Sequence, residues 1–244
     1  MIEVKNVTKK YGKAVAVEDI SFSIEDGEIV GLLGPNGAGK STTMNILTGY
    51  IEQTSGEVTV EGYNTLKKPQ KAKEQIGYMP EGVPLYTDLT VKEFVTYMAE
   101  LKRVNKKERK VRIEDVLKKT GLKEVENKLT KNLSRGYKQR VSMAGALVGN
   151  AKILILDEPT VGLDPKQITE IRSLIKELGK THTVILSSHI LSEVSAICDH
   201  IMIISHGKLI ASDTPENLVT LMEGENILSL SVKGNKQDIE SVLK

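Results

Sequence analysis

The sequence has one cysteine, no apolar run long enough to cross a membrane and almost no net charge, and each shortage closes a class of function. A lone Cys198 cannot form an intramolecular disulfide and fits a reducing compartment. It ends Val194-Ser195-Ala196-Ile197-Cys198, which reads as the apolar side of a helix, so a buried small hydrophobe is expected rather than a nucleophile. No segment approaches ~18 consecutive apolar residues, so no membrane-spanning helix is expected. Met1-Ile2-Glu3-Val4 offers neither a basic lead nor an apolar run, and no secretory signal is expected there. The 34 Lys and Arg against 32 Asp and Glu leave a formal charge of +2, too even for a chain that holds nucleic acid through its field. Lysines cluster over 102–110 and 118–131 as on solvated helix faces. Neither an internal repeat nor a low-complexity tract is present. These exclusions point to the cytosol, or to the cytosolic face of a membrane reached through a partner.

A chain of 244 residues holds one large α/β domain or two small ones. Its first part alternates apolar and polar residues, over Ile2 to Val7, Ile20 to Ile24 and Glu57 to Val60, which predicts an antiparallel sheet. Helices follow: a capping box, Thr90-Val91-Lys92-Glu93, opens one to about Lys102, and another runs from about Lys106 to Thr120, stopped by Gly121. The second half returns to strand–helix alternation, with strands at Ile153 to Leu156, Thr183 to Leu186 and Ile201 to Ile204. Helices are predicted from Asp164-Pro165 to Leu178, over Ile190 to Cys198 and over 215–222. His206-Gly207 turns a hairpin into Lys208 to Ala211. A further strand at Ile227 to Val232 and a helix from Asp238 read as the start of a C-terminal extension, cut short.

Against this background Gly34-Pro35-Asn36-Gly37-Ala38-Gly39-Lys40-Ser41-Thr42 is a complete phosphate-gripping loop. It joins a buried strand, Glu28 to Leu33, to a helix over Ser41 to Thr48. The glycines let backbone N–H groups turn inward around phosphate oxygens, and the helix N-terminus adds partial positive charge. Lys40 can reach β- and γ-phosphates, and the Ser41 hydroxyl can ligate Mg²⁺. The loop alone specifies neither which nucleotide is bound nor to what end. The strand Ile153 to Leu156 delivers Asp157 and Glu158 at its end, the first suited to hold the metal, directly or through water, and the second to polarise an attacking water. About twenty residues earlier Ser134 opens a small-residue helix, where a capping hydroxyl and free N–H groups also make an anion site.

Together these motifs resemble the ATP-binding subunits of ABC transporters over about residues 2 to 222, in the family's order. Gly34 to Thr42 match the Walker A loop, Ile153 to Glu158 Walker B, Leu133 to Tyr137 the signature, Gly162-Leu163-Asp164 the D-loop and His189 the switch histidine. The resemblance implies a P-loop NTPase (RecA-like) core with a flanking antiparallel β subdomain and an inserted α-helical subdomain at about 85–145, the ATPase domain spanning 1–222 and the extension 223–244. It implies ATP and Mg²⁺ as cofactors. Tyr11, followed by Gly12, would stack on adenine, and Asn36, Gly37, Gly39, Lys40, Ser41 and Thr42 would hold phosphates and metal. Glu158 would be the general base and His189 a γ-phosphate contact. Ser134 and Gly136 would complete the site of a second copy, with Asp164 organising that interface, although helix capping alone would explain an Asp there. His182, His200 and His206 are expected to be structural.

Two departures stand out. Glu81 occupies the place where the family usually has Gln, and a carboxylate there can also ligate Mg²⁺. Arg135 and Tyr137 interrupt the usual Leu-Ser-Gly-Gly-Gln, with Arg135 directed to a phosphate or to solvent. With the segment Val83 to Val91 they resemble the branch serving ABC-2 type exporters. The implied partners are a second copy of the chain, head to tail, and transmembrane permease subunits docking near Glu81 to Thr90, with no nucleic acid. The implied location is peripheral, on the cytosolic face. The alternatives are a soluble ABC ATPase of translation or DNA maintenance, though neither a second cassette nor a long coiled coil is present, and a non-hydrolysing nucleotide sensor if Glu81 or Arg135 disables the site. A GTPase has no support, as no Asn-Lys-x-Asp is present.

Overall fold

Alternation in the N-terminal segment builds a sheet with one dry face. In the computed structural model, which describes residues 1–82 and 85–218, β1 (Ile2–Tyr11) and β2 (Ala14–Ile24) form an antiparallel hairpin that turns at Gly12. After β3 (Ile29–Leu33) and α1 (Lys40–Leu47), β4 (Ser55–Val60) returns antiparallel to β1, and β5 (Tyr63–Asn64) closes the order β2-β1-β4-β5. Ile2, Val4, Ile20, Ile24, Val58 and Val60 face inward, each at most 3% exposed.

The strands that read as uninterrupted aliphatic runs form the centre of a second sheet, covered on both faces as parallel sheets require. After α2 (Pro69–Glu74) the chain enters β6 (Ile76–Met79), then α3 (Val91–Leu101), α4 (Lys106–Lys119) and α5 (Arg135–Leu147). It continues through β7 (Ile153–Leu156), α6 (Pro165–Gly179), β8 (Thr183–Ser188), α7 (Leu191–Val194), β9 (His200–Ser205) and β10 (Lys208–Asp213). The strand order is β10-β9-β3-β8-β7-β6, parallel except for β10. Pleating splits β7 between two cores: Ile153 and Ile155 pack toward the antiparallel sheet, and Leu154 and Leu156 toward the helices. β3, β7 and β8 therefore end together, and the loops leaving them carry the chemistry.

The boundaries correct the sequence reading in two places. The helix expected over Ile190 to Cys198 is only one turn, because the N–H groups of Ile197 and Cys198 both return to the Val194 carbonyl, at 3.1 and 2.8 Å. Val194 and Cys198 press on Gly31 of β3, where an added Cβ would lie 3.0 Å from each side chain. The helix α5 begins at Arg135 directly after its Ser134 cap, as expected. Strand β6 and helix α2 were not read at all. Ile-Gly-Tyr-Met has no alternation, and its Gly77 is there for packing: a Cβ would meet the Ala146 carbonyl of α5 at 2.5 Å. Residues 215–218 are helical, as expected, and the elements expected at Ile227 to Lys244 lie outside the described residues.

Candidate functional site

The loop between β3 and α1 is bent by two residues in left-handed backbone, Gly37 (φ 79°) and Gly39 (φ 111°). Gly34 is needed for a close approach, since a Cβ there would fall 2.3 Å from the Ile204 carbonyl. Helix α1 starts without a side-chain cap. The first N–H groups of any helix lack intrahelical acceptors, so this uncapped end is a donor cluster aimed at an anion. In front of it lies a cavity of about 310 Å³, walled by Asn36, Gly37, Gly39 and Lys40 to Thr42 on one side, and by Ala16, Glu81 and Glu158 on the other. Gly34, Pro35 and Ala38 do not line it. The Gly34 and Pro35 carbonyls accept from Lys40 Nζ at 2.7 and 3.3 Å, and the Ala38 carbonyl accepts the Gly207 N–H.

Lys40 is 6% exposed and stands 3.5 Å from Glu158 Oε1. Glu158 has left-handed backbone (φ 48°), which costs a residue with a Cβ about 1–2 kcal/mol. Its N–H is held at 2.8 Å by Ser187 Oγ, and the kink turns the carboxylate back toward the cavity. The same Ser187 hydroxyl donates to Asp157 Oδ1 at 2.6 Å. Asp157 thus lies behind the cavity wall, buried, rather than on it. His189 Nδ1 is 3.1 Å from Glu158 Oε2, with its ring partly open to solvent. Tyr78 of β6 lies behind the same wall. Burial, then the charges of Asp157, Tyr50 and Glu81, push its phenol up to about 12. Its hydroxyl donates to Asn45 of α1.

Ser134, Gly136 and Asp164 are not part of this cavity. They line another, of about 360 Å³, between the start of α5 and α6, together with Tyr137, Arg140 and Gln167. Both helices are capped as expected: Ser134 Oγ accepts the Tyr137 N–H and Asp164 Oδ1 accepts the Gln167 N–H. Only one N–H at each end is taken by the cap, so the start of α5 remains an anion-binding end. Gly136 packs under the Gln167 side chain, whose amide carbon would lie 2.9 Å from an added Cβ. The guanidinium of Arg135 lies against Gly162, filling the space a side chain there would need, which ties the signature to the D-loop.

Tyr11 is half exposed at the tip of the β1–β2 hairpin, with Lys9 Nζ 5.0 Å from its ring centroid. The outgoing strand of that hairpin brings Ala16 to the phosphate cavity. Three polar residues that hold the site together escaped the sequence reading: Ser187, Thr160 and Glu193. Thr160 follows two residues after Glu158 and donates to Glu193 Oε2 at 2.5 Å. The remaining histidines bond locally, His182 to the Leu178 carbonyl, His200 to Ser212 and His206 to Ser205.

Comparison with known proteins converges. The ABC transporter family model matches residues 17–161. The linearmycin resistance ATP-binding protein LnrL of Bacillus subtilis (strain 168) is 40% identical over 235 residues, 96% of this chain and 76% of the relative. The bacitracin transport ATP-binding protein BcrA of Bacillus licheniformis is 40% identical over 212 residues, 86% of this chain and 68% of the relative. The solved dimeric bacterial ABC transporter cassette MJ0796 is 30% identical, with a TM-score of 0.80 over 88% of this chain and 99% of that one. A post-hydrolysis dimer of the same cassette, bound to ADP and Pi, has a TM-score of 0.79 over the same shares.

Proposed function

This chain belongs to the ABC transporter family as an ATP-binding, ATP-hydrolysing subunit, and from that premise we propose that two copies close head to tail around two ATP molecules and power export through separate membrane subunits. The observation that carries the reading is the division of the candidate residues between two cavities of one chain. Lys40, Ser41 and Glu158 line one, and Ser134, Gly136 and Asp164 line the other. A two-fold axis places each cavity against its complement, so both sites are completed at once.

Within a site, the N–H groups of 36–42 and Lys40 hold the β- and γ-phosphates, and Tyr11 offers its ring to adenine. Glu158 accepts the proton of the attacking water as its oxygen bonds to the γ-phosphorus and the bond to ADP breaks. His189, against Glu158, reaches the γ-phosphate. The second copy's α5 supplies N–H groups to the same phosphate.

The donors suit Mg²⁺, held by the Ser41 hydroxyl, by Asp157 directly or through water, and by Glu81. Among the described residues no cluster of three or more His, Cys, Asp or Glu could hold a metal unaided. That fits an ion that keeps several waters and takes its remaining oxygens from phosphates. When bound it supplies positive charge to the β- and γ-oxygens.

The ATPase domain is assigned to 1–222, with the helical subdomain at about 85–145. The membrane subunit's docking face is assigned to an apolar groove of about 560 Å³ formed by Leu85, Tyr86, Leu89 and Tyr97, where Tyr86 stands edge-on to Tyr97 at 5.2 Å. No helix among the described residues is long and apolar enough to cross a membrane. A peripheral position on the cytosolic face follows from that docking.

The test is subunit complementation. Lys40→Ala and Ser134→Arg should each be inactive alone, yet an equal mixture should recover about a quarter of wild-type hydrolysis, since half the dimers then hold one intact site of two. No recovery, with each variant still soluble and Ser134→Arg still binding ATP, would refute the shared site.

A further inference from the structure

Two hydroxyl-to-carboxylate bridges link the ends of β7 and β8 and the loops that follow them, in opposite directions. Ser187 of β8 donates to Asp157, which follows β7. In return Thr160, beyond Glu158, donates at 2.5 Å to Oε2 of Glu193, which lies four residues beyond His189. Ser188 Oγ also reaches that oxygen, at 3.4 Å, while accepting the Ile190 N–H at 3.1 Å. Glu193 therefore fastens the residues on both sides of His189 to the segment that carries Glu158.

Thr160 and Glu193 are 7% and 8% exposed, and Glu193's partners among the described residues are hydroxyls, not cations. Burying a carboxylate without an opposite charge is costly, and a neutral side chain of similar volume would fill the same space without that cost. The acid gains meaning from what it connects. Glu158 lines the cavity and His189 stands against it from a separate loop, and the two stay 3.1 Å apart only while those loops keep one relative position.

We propose that Thr160 and Glu193 are positioning residues, a buried clamp that holds His189 in register with Glu158 for ATP hydrolysis. The proposal rests on the assignment of Glu158 and His189 to the reacting phosphate made above. The clamp does not touch the phosphate loop, so it should act on turnover and leave nucleotide binding alone.

The experiment compares Thr160→Val, Thr160→Ser, Glu193→Gln, Glu193→Ala and the double variant Thr160→Val with Glu193→Ala. Each is measured for kcat, KM and binding of a non-hydrolysable ATP analogue. Thr160→Val should lower kcat roughly tenfold while KM and analogue affinity stay within about twofold, as loss of orientation without loss of binding requires. Thr160→Ser, which keeps the hydroxyl, should restore most of the rate. Glu193→Gln should fall between wild type and Glu193→Ala, because an amide oxygen can still accept from Thr160. The double variant should be no slower than the slower single one, since both remove the same bond. Wild-type kcat in Thr160→Val, an equal loss in the Ser and Val variants, or fully additive losses would each overturn the clamp. If Glu193→Ala does not fold, the Val and Ser variants carry the test alone. Full turnover in Glu158→Gln would instead withdraw the site assignment, whatever the Thr160 variants show.

Discussion

Removing one oxygen atom, in Ser187→Ala, should cost this protein both stability and turnover. Ser187 is fully buried, and its hydroxyl accepts from the Glu158 N–H at 2.8 Å and donates to Asp157 Oδ1 at 2.6 Å. Alanine leaves the N–H without that acceptor, at about 1–3 kcal/mol, and takes a charge-assisted bond from a buried carboxylate, at about 1.5–3 kcal/mol. The two losses share one atom and relax together, so we expect about 2–4 kcal/mol rather than their sum. Glu158 is also freed to leave its left-handed backbone (φ 48°), which turns its carboxylate away from the cavity.

Urea unfolding in the absence of nucleotide reads the first effect as a lower midpoint at unchanged slope. Steady-state hydrolysis reads the second as a fall in kcat. Binding of a non-hydrolysable analogue should change little, because Asn36, Gly37 and Gly39 to Thr42 form a separate wall. A stability change under about 0.5 kcal/mol, the size of an ordinary surface substitution, together with wild-type kcat, would refute the reasoning.

Gly77→Ala should lower stability by about 1–3 kcal/mol, since its Cβ would sit 2.5 Å from the Ala146 carbonyl and β6 would have to part from α5. Thermal unfolding checks this, and an unchanged midpoint would mean the helix is not seated on that strand. Burial and the adjacent Asp199 push the Cys198 thiol up to about 12, so iodoacetamide at pH 8 should label the denatured protein and spare the native one. Glu61 is held down at about 2 by hydrogen bonds to Lys152 and then to the N-terminal ammonium. Its contribution is present above the unfolded value of about 4.3 and is lost as pH falls toward 2. Glu61→Gln should therefore be less stable than wild type at pH 6, by an amount that vanishes near pH 2, and a gap that widens on acidification would contradict the pairing.

What the sequence disclosed and what it hid divide along a physical line. The phosphate loop, the aliphatic strand before Asp157 and the capped helices after Thr90 and Asp164 were legible, because their geometry is dictated by neighbours within a turn or two. Ser187, Thr160 and Glu193 were not, because a hydroxyl about thirty residues from its acceptor leaves no periodicity. Strand β6 was missed for a related reason: Gly77 breaks the pattern to let α5 approach, a demand of tertiary packing. Arg135 reads in the sequence as a choice between phosphate and solvent, and in the structure it is exposed, with its guanidinium lying against Gly162. The signal available in the sequence was the pairing of a long guanidinium with a glycine in the loop it covers.

Charge explains why one chain should be able to hold ATP and still wait for another. Around the phosphate cavity stand Lys40, Glu158 and Glu81, with Asp157 just behind, so the protein's fixed charges there sum to negative before any nucleotide is counted. In the proposed site the uncapped end of α1 and a metal ion would offset a β-phosphate held over the loop. There the γ-phosphate would point out of the cavity, and the added charge it develops during hydrolysis would need further donors on its open side. In the proposed dimer that side faces the second copy's α5, whose cap at Ser134 occupies only the Tyr137 N–H. Ser134→Arg then gives the sharpest form of the argument. It should leave ATP affinity of the single chain unchanged while abolishing hydrolysis, and a variant that still turned over ATP would mean the missing positive charge comes from within one chain.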